Sequence, residues 1–141
     1  MRDTTLASIT ETSRDIEIYS DFTDDMFFHP VKGDIIRKTN EDAVSQSVRN
    51  LLKTNYYDRP FNPKMGSNLR AALFELNTEF SEIAIKAAIT EMITNFEPRA
   101  DLLSVYVNSD PDNYTYNATI TFAIVNKEQP VTINVLLERI R

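Results

Sequence analysis

The sequence predicts an α+β domain, in which two main helices and one short helix pack on an antiparallel sheet. Apolar residues recur at helical spacing between residues 40 and 95. After Pro98 the pattern changes to an alternation of apolar and polar residues, which is typical of half-buried strands. Because the predicted helices precede most of the predicted strands, the α+β class is favoured over a parallel α/β sheet.

The N-terminal part divides into an arm and the first strands. Residues 1–15 are rich in Thr, Ser and charge without periodicity, which predicts an extended or mobile arm. A single domain is expected over residues 16–141. Short strands are predicted near residues 16–22 and 34–38, and the apolar triplet 26–28 is expected to anchor the arm on the body.

The first two predicted helices span residues 40–53 and about 68–75. Thr39 or Asn40 is expected to cap the first, and Ser67 or Asn68 the second. The apolar face of the first helix comprises Val44, Val48, Leu51 and Leu52.

The second long helix is predicted over residues 78–95, and Pro98 ends it. Its apolar residues form two faces, which predicts a helix buried on both sides at the centre of the domain. One face comprises Phe80, Ile83, Ala84, Ala87 and Ala88, and the other Ile85, Ile89, Met92 and Phe96.

The C-terminal third predicts a three-stranded antiparallel meander. Leu103, Val105 and Val107 are expected to share one face of its first strand, and the even-numbered residues 114–124 one face of the second. The last strand, with Val131, Ile133, Val135 and Leu137 alternating, is a candidate sheet edge that offers backbone groups to a partner strand. The alternative is an edge protected by its terminal charges, Glu138, Arg139 and Arg141.

Composition excludes several classes of function. Two Gly in 141 residues leave no phosphate-binding glycine loop, the absence of Cys removes thiol and zinc-ribbon chemistry, and one histidine, His29, allows no two-His metal site. A net charge of −6 argues against direct nucleic-acid binding. No apolar run is long enough for a membrane span, so a soluble protein is expected. From the residue types above, no metal or cofactor is expected.

The sequence gives little support for a catalytic site. Glu75, Glu79, Glu82 and Glu97 could supply the carboxylate pair of a glycoside hydrolase, but 21 acidic residues make such pairs unavoidable. A Ser–His–Asp triad would need His29, and no G-x-S-x-G elbow is present.

Two segments are candidates for binding. The loop from Asn55 to Gly66 is stiffened by Pro60 and Pro63. It is either a well-formed connection between two helices or a preshaped docking surface, whose aromatic contacts would be Phe61, Tyr56 and Tyr57. Glu97 and Arg99 flank Pro98, and they either clamp this junction as an ion pair or form an exposed pair of little energetic value.

These segments in this order resemble the baseplate wedge and sheath-initiator proteins of contractile-tailed phages, a family that includes the baseplate subunit of type VI secretion systems. The resemblance covers residues 16–141. It is carried by Arg59-Pro60-Phe61-Asn62-Pro63, Gly66-Ser67, Leu73-Phe74-Glu75 and Phe96-Glu97-Pro98-Arg99, followed by the meander. Segments upstream fit as well, and they are Tyr19-Ser20-Asp21-Phe22, His29-Pro30, Gly33-Asp34, Ala43-Val44 and Ser47-Val48-Arg49-Asn50-Leu51-Leu52. Tyr57-Asp58 and Met65 depart from the residues common in the family at these positions.

The resemblance implies a structural, non-enzymatic component of the virion tail baseplate, assembled in the host cytoplasm, that joins the wedge and initiates the tail sheath by strand addition. Implied partners are the core-bundle proteins of the wedge, the sheath protein and tail tube or tube-cap proteins. A peptidoglycan-hydrolysing lysozyme-like enzyme, a label the family also carries, and a regulatory binding module are the alternatives.

The resemblance also assigns residues to three surfaces. The wedge-interaction residues are Glu97, Pro98 and Arg99; the docking loop comprises Arg59, Pro60, Phe61, Pro63, Gly66, Phe74 and Glu75; and the strand-addition edge comprises Ile133, Val135, Leu137 and Arg139.

Overall fold

The computed structural model describes residues 18–74, 79–110, 112–113, 115–125, 127 and 129–138. It has the predicted α+β class. The predicted arm, Glu75 and Arg139 lie outside the described residues. The elements in chain order are β1 (Ser20–Phe22), β2 (Arg37–Thr39), α1 (Asn40–Lys53), α2 (Leu69–Leu73), α3 (Glu79–Phe96), β3 (Ala100–Asp110), β4 (Thr115–Ile124) and β5 (Pro130–Glu138).

The C-terminal strands form the predicted antiparallel meander, in the order β3-β4-β5. In β4 the even-numbered residues from Tyr116 to Ile124 are buried, as alternation predicts. α3 packs mainly along β3, while α1 lies against α3 and reaches β5. The largest fully buried side chains come from these helices and from β4, and they are Phe122, Ile85, Ile89, Met92, Ile93, Ile120, Val44 and Val48.

Leu103 does not share the inner face with Val105, so that prediction is wrong. Leu102 pairs with Phe122 and Ser104 pairs with Thr121, which leaves Leu103 without a partner in a β-bulge. An extra residue in one strand shifts the phase of the alternation. Leu102 and Val105 therefore face the helices, whereas Leu103 is 57% exposed.

The apolar face of α3 that contains Phe80 and Ile83 is not buried, which corrects the prediction of a central helix. Ile85 and Ile89 are completely buried, but Phe80 is 82% exposed and Ile83 is 64% exposed. The reason is that α3 lies against the sheet and its neighbouring helices with one face only. None of the helices that the structure describes is both long and apolar enough to cross a membrane.

The N-terminal strands are tied to the start of α1 by Asn40. This residue has a positive φ of 47°, a conformation that asparagine tolerates better than most residues. Its side-chain Oδ1 accepts hydrogen bonds from the backbone N–H groups of Ile18 at 3.0 Å and Tyr19 at 3.4 Å. Asn40 therefore fixes β1 to α1, and Thr39, the N-cap residue, makes no capping hydrogen bond with its side chain.

The apolar triplet at residues 26–28 does not anchor on the body, contrary to expectation. Met26, Phe27 and Phe28 are between 58% and 69% exposed. Phe28 forms an isolated bridge with Ile35, and the turn between them is closed by the bond from the Gly33 N–H to the His29 carbonyl at 2.9 Å. The triplet thus belongs to a projecting hairpin-like segment.

The two glycines both have a positive φ, but their surroundings differ. Gly66 has φ +131°, and a Cβ atom there would lie 2.7 Å from the backbone C and O of Asn55. Gly33 has φ +63° with nothing within 4 Å of a Cβ. Only Gly66 is therefore required by close packing as well as by backbone conformation.

Replacing Gly66 by alanine should lower the free energy of unfolding by roughly 2–5 kcal/mol, because the Cβ atom meets backbone that cannot yield without moving the loop. Gly33→Ala is the matched control and should cost only about 1–2 kcal/mol, since it meets conformational strain alone. Urea denaturation measures both. Equal costs for the two variants would contradict the close approach at Gly66.

Candidate functional site

The junction between α3 and β3 is held by a buried carboxylate. Glu97 follows the last residue of α3 and is 3% exposed. Arg99 donates from Nε to Oε1 at 2.6 Å and from Nη2 to Oε2 at 2.8 Å, which is a bidentate ion pair. The hydroxyl of Ser47 on α1 donates to Oε2 as well. The alternative of an exposed, weakly held pair therefore does not apply to this chain.

The electrostatics of this pair favour its charged form. Burial raises the pKa of Glu97, but the hydrogen bonds from Arg99 and Ser47 and the charge of Arg99 outweigh it, so the pKa lies below the ordinary 4.5. The hydrogen bonds to Glu97 raise the pKa of Arg99. The carboxylate thus remains ionised, and the side chain of Arg99 keeps 33% of its surface exposed.

Four elements meet at this pair. Ser47 brings α1 to it, Pro98 joins α3 to β3, and the guanidinium of Arg99 lies 5.6 Å from the centre of the Tyr19 ring, next to β1. The Arg99 carbonyl also accepts from the backbone N–H of Val125, just after β4, at 3.1 Å. We call Ser47, Glu97, Arg99 and Tyr19 the clamp.

Tyr19 and Ser47 could not be assigned to the clamp from the sequence. Ser47 lies fifty residues from Glu97 in the chain, and no local spacing links them. Tyr19 and Ser47 carried no chemical signal of their own, because a tyrosine and a helix serine are ordinary surface residues. Only the fold brings them to Glu97.

The predicted docking loop is folded by its own backbone. The N–H of Tyr57 donates to the Pro63 carbonyl at 3.0 Å, and the N–H of Ser67 donates to the Thr54 carbonyl at 3.2 Å. The Asp58 carboxylate accepts from the backbone N–H of Asn55 at 2.8 Å. The loop between α1 and α2 is therefore closed at both its ends and across its middle.

The loop presents its large side chains outward. Phe61 is fully exposed, Tyr57 is 83% exposed, and Tyr56 and Phe74 are more than 40% exposed. Arg59, Pro60 and Pro63 are exposed, while Gly66 is buried against Asn55. The docking-loop residues that the structure describes are therefore exposed, except for Gly66, which is buried.

Two grooves flank Tyr56 and Tyr57. One, of about 470 Å³, runs between the loop and α3 and includes Lys64 and Glu91 in its walls. The other, of about 630 Å³, lies between the two tyrosines and α2 and includes Arg70 and Phe74. Both are open grooves on the surface of the domain.

The last strand, β5, is an edge of the described sheet. Its pairing with β4 runs without interruption from Ala123–Pro130 to Thr115–Glu138. Ile133 and Leu137 are buried, and Val135 is half-buried in the core. Of the side chains predicted for the edge, Ile133, Val135 and Leu137 therefore face inward, and β5 offers its backbone there.

The carboxylates in the described part of the chain give little support to the glycoside-hydrolase alternative. Glu97 is buried and paired, with a pKa below its ordinary value, whereas a general acid of a glycosidase needs a raised pKa. Oε1 of Glu82 accepts the backbone N–H of Ser109 at 3.0 Å. Among the described residues, no group of His, Cys, Asp or Glu is arranged to hold a metal ion.

A family of known proteins matches this chain. The family model described as "Baseplate wedge protein gp25" matches residues 38–128. Baseplate wedge protein gp25 of Enterobacteria phage T4 is 29% identical over 115 residues, which span 82% of this chain and 86% of that protein.

Solved structures share the fold. A proposed tail lysozyme from Geobacter sulfurreducens has a TM-score of 0.66 and 19% identity, covering 72% of this chain and 92% of its own. A chain of the anti-feeding prophage baseplate has a TM-score of 0.60 and 21% identity, covering 87% of both chains. At these identities the two likenesses concern the fold alone.

Removing the two partners of the ion pair should have unequal effects on stability. Arg99→Ala should lower the free energy of unfolding by about 3–5 kcal/mol, because it leaves the Glu97 carboxylate buried without its cation. Glu97→Ala should cost about 1–3 kcal/mol, since Arg99 is partly exposed and can be hydrated. Urea denaturation of both, with exposed Arg49→Ala as control, tests this. A larger loss for Glu97→Ala would contradict the burial asymmetry.

The ion pair should also give a pH dependence. Because the pKa of Glu97 is lower folded than unfolded, its stabilisation is complete above the unfolded value near 4.5 and is lost as pH falls through the folded pKa. The stability difference between the wild type and Glu97→Gln should therefore be largest at neutral pH and shrink below pH 4.5. Paired urea titrations across this range measure it, and a constant difference would refute the assignment.

Proposed function

The chain belongs to the baseplate wedge protein gp25 family, and we propose that it initiates the tail sheath by accepting a strand of the sheath protein at β5. It is a baseplate wedge protein of a contractile tail system. The observation that carries the proposal is the long, regular edge of β5, which pairs with β4 on one side and with no other described strand on the opposite side.

Strand addition is favoured at β5 over the other sheet edge, β3. The bulge at Leu103 interrupts the regular pairing of β3, and α3 packs along that strand. Bulges are a common way for a sheet edge to discourage pairing. β5 has no such interruption over nine residues, so a partner strand can form a continuous ladder along it.

Recognition at β5 rests on the backbone. Ile133, Val135 and Leu137 fill the core and are not available to a partner. Backbone hydrogen bonds along the edge would provide affinity, and the incoming strand would extend the buried face with apolar residues of its own. Arg139, which belongs to the proposed edge, lies beyond the described part of β5.

The wedge-interaction residues act in this proposal through the clamp. Glu97 is buried and holds Arg99, so Arg99 is the member that offers surface to a core-bundle protein of the wedge. Pro98 fixes the chain between them. This arrangement gives Glu97 a positioning role and Arg99 the contact.

The protein acts without catalysis in this proposal. The ionised, internally paired Glu97 does not suit acid catalysis, so the hydrolase alternative is not favoured, and no observation favours a free regulatory module. We place the protein in the virion tail baseplate, after assembly in the host cytoplasm. Its proposed partners are wedge core-bundle proteins, the sheath protein and tail tube or tube-cap proteins.

A proline scan from Thr132 to Val135 separates strand addition from folding. In an antiparallel strand successive N–H groups point to opposite sides. A proline at a position whose N–H points away from β4 should therefore keep the β4–β5 ladder and block the free edge. Those variants should fold, as circular dichroism would report, and should yield tail tubes without sheaths in electron micrographs. The variants in which proline removes an N–H group bonded to β4 should instead lose stability.

The matched control is Thr132→Val, which retains its N–H group and should support sheaths of normal length. If every proline variant that folds also assembles normal sheaths, β5 is not the strand-accepting edge.

A further inference from the structure

The segment between α1 and α2 has a charge opposite to that of the whole chain. The chain carries a net charge of −6, yet residues 53–70 contain four basic residues and one acidic residue. All four basic side chains are exposed. They are Lys53, Arg59, Lys64 and Arg70.

These cations are not used by the fold. The ion pairs found within the described residues are Arg99–Glu97 and Lys127–Glu41, and neither includes a cation of this segment. The acidic residue of the segment, Asp58, accepts the backbone N–H of Asn55. The positive charge is therefore available to an outside partner.

One of these cations, Arg70, lies in the wall of an apolar groove, and Lys64 lines the neighbouring groove that shares Tyr56 and Tyr57. The groove of about 630 Å³ is lined by Tyr56, Tyr57, Ala71 and Phe74, with Arg70 in its wall, and none of the described residues that line it is acidic. Phe61 stands fully exposed on the same loop. Aromatic side chains with adjacent arginines are the residues that most often anchor protein interfaces. We call this surface, with its cations, the basic-aromatic groove.

We propose that the basic-aromatic groove docks an acidic protein segment whose apolar side chains enter between the tyrosines and Phe74. The inference rests on the proposed function and names the chemistry of the partner at the docking loop. Asp or Glu of the segment would pair with Arg59, Lys64 and Arg70, and its apolar anchors would fill the groove.

An acidic protein segment fits better than a nucleic acid. A long polyanion would meet the net negative charge of the rest of the chain, whereas a short segment contacts only the local cations. The other groove beside Tyr57 includes Lys64 and Glu91 in its walls, so an acidic residue of the segment can pair there only with Lys64. The occupant is thus a short segment bound across the loop and α2.

The experiment uses the full chain, tagged and co-expressed with the other baseplate proteins of its tail. Arg59→Glu combined with Arg70→Glu should lower its recovery in purified baseplates at least about tenfold. Lys32→Glu combined with Arg37→Glu, two exposed cations elsewhere, is the matched control with the same change in net charge. Arg59→Lys with Arg70→Lys should retain most of the recovery, and urea denaturation should show that all variants fold.

Carbodiimide coupling of assembled wild-type baseplates gives an independent readout. The amine of Lys64 should couple to an Asp or Glu of another baseplate protein, because the reagent joins only groups in direct contact. Unchanged recovery of the charge-reversed variant, or no coupling of Lys64 to a protein carboxylate, would overturn the proposal. Binding of the isolated chain to a short single-stranded DNA, lost on charge reversal, would overturn it in favour of nucleic acid.

Failure here is distinguishable from failure of the proposed function. If the charge-reversed variant is recovered normally and the proline variants lack sheaths, the acidic partner is refuted, and the proposal of strand addition at β5 stands. If recovery of the charge-reversed variant is reduced and the proline variants assemble normal sheaths, only strand addition is refuted.

Discussion

The fold depends on one buried charge. The Glu97 carboxylate is held by a bidentate arginine and a serine hydroxyl, and these groups come from the α3–β3 junction and from α1. An ion pair removed from water is stabilising only when its remaining hydrogen-bonding capacity is filled, which this one achieves. The pair thereby ties α1 to the turn that joins α3 to β3.

The two proposed binding surfaces differ in what they offer. The β5 edge presents backbone, since its inward side chains are committed to the core. The basic-aromatic groove presents side chains on a loop that its own backbone bonds hold in shape. Preorganisation of that loop reduces the ordering cost of binding, because the loop is folded before a partner arrives. Both surfaces therefore suit a protein that joins others without a large change of its own.

Periodicity predicted the regular parts of this molecule. The bounds of α1, the ladder of β4 and the class of the fold follow from apolar spacing and from Pro98. The failures have physical causes: a bulge at Leu103 reversed the alternation, and the apolar residues at the start of α3 have no partner in the described fold to cover them. Glu97 and Arg99 could be paired from sequence, but Ser47 could not, because that contact is created only by tertiary packing.

An edge strand that can accept a partner strand can also accept a copy of itself. For β5 such self-pairing would join two domains, each with a net charge of −6, and the repulsion between them rises as they approach. Glu138 adds a negative charge at the end of the strand. The same net negative charge that argues against nucleic-acid binding therefore also disfavours self-pairing at an open sheet edge.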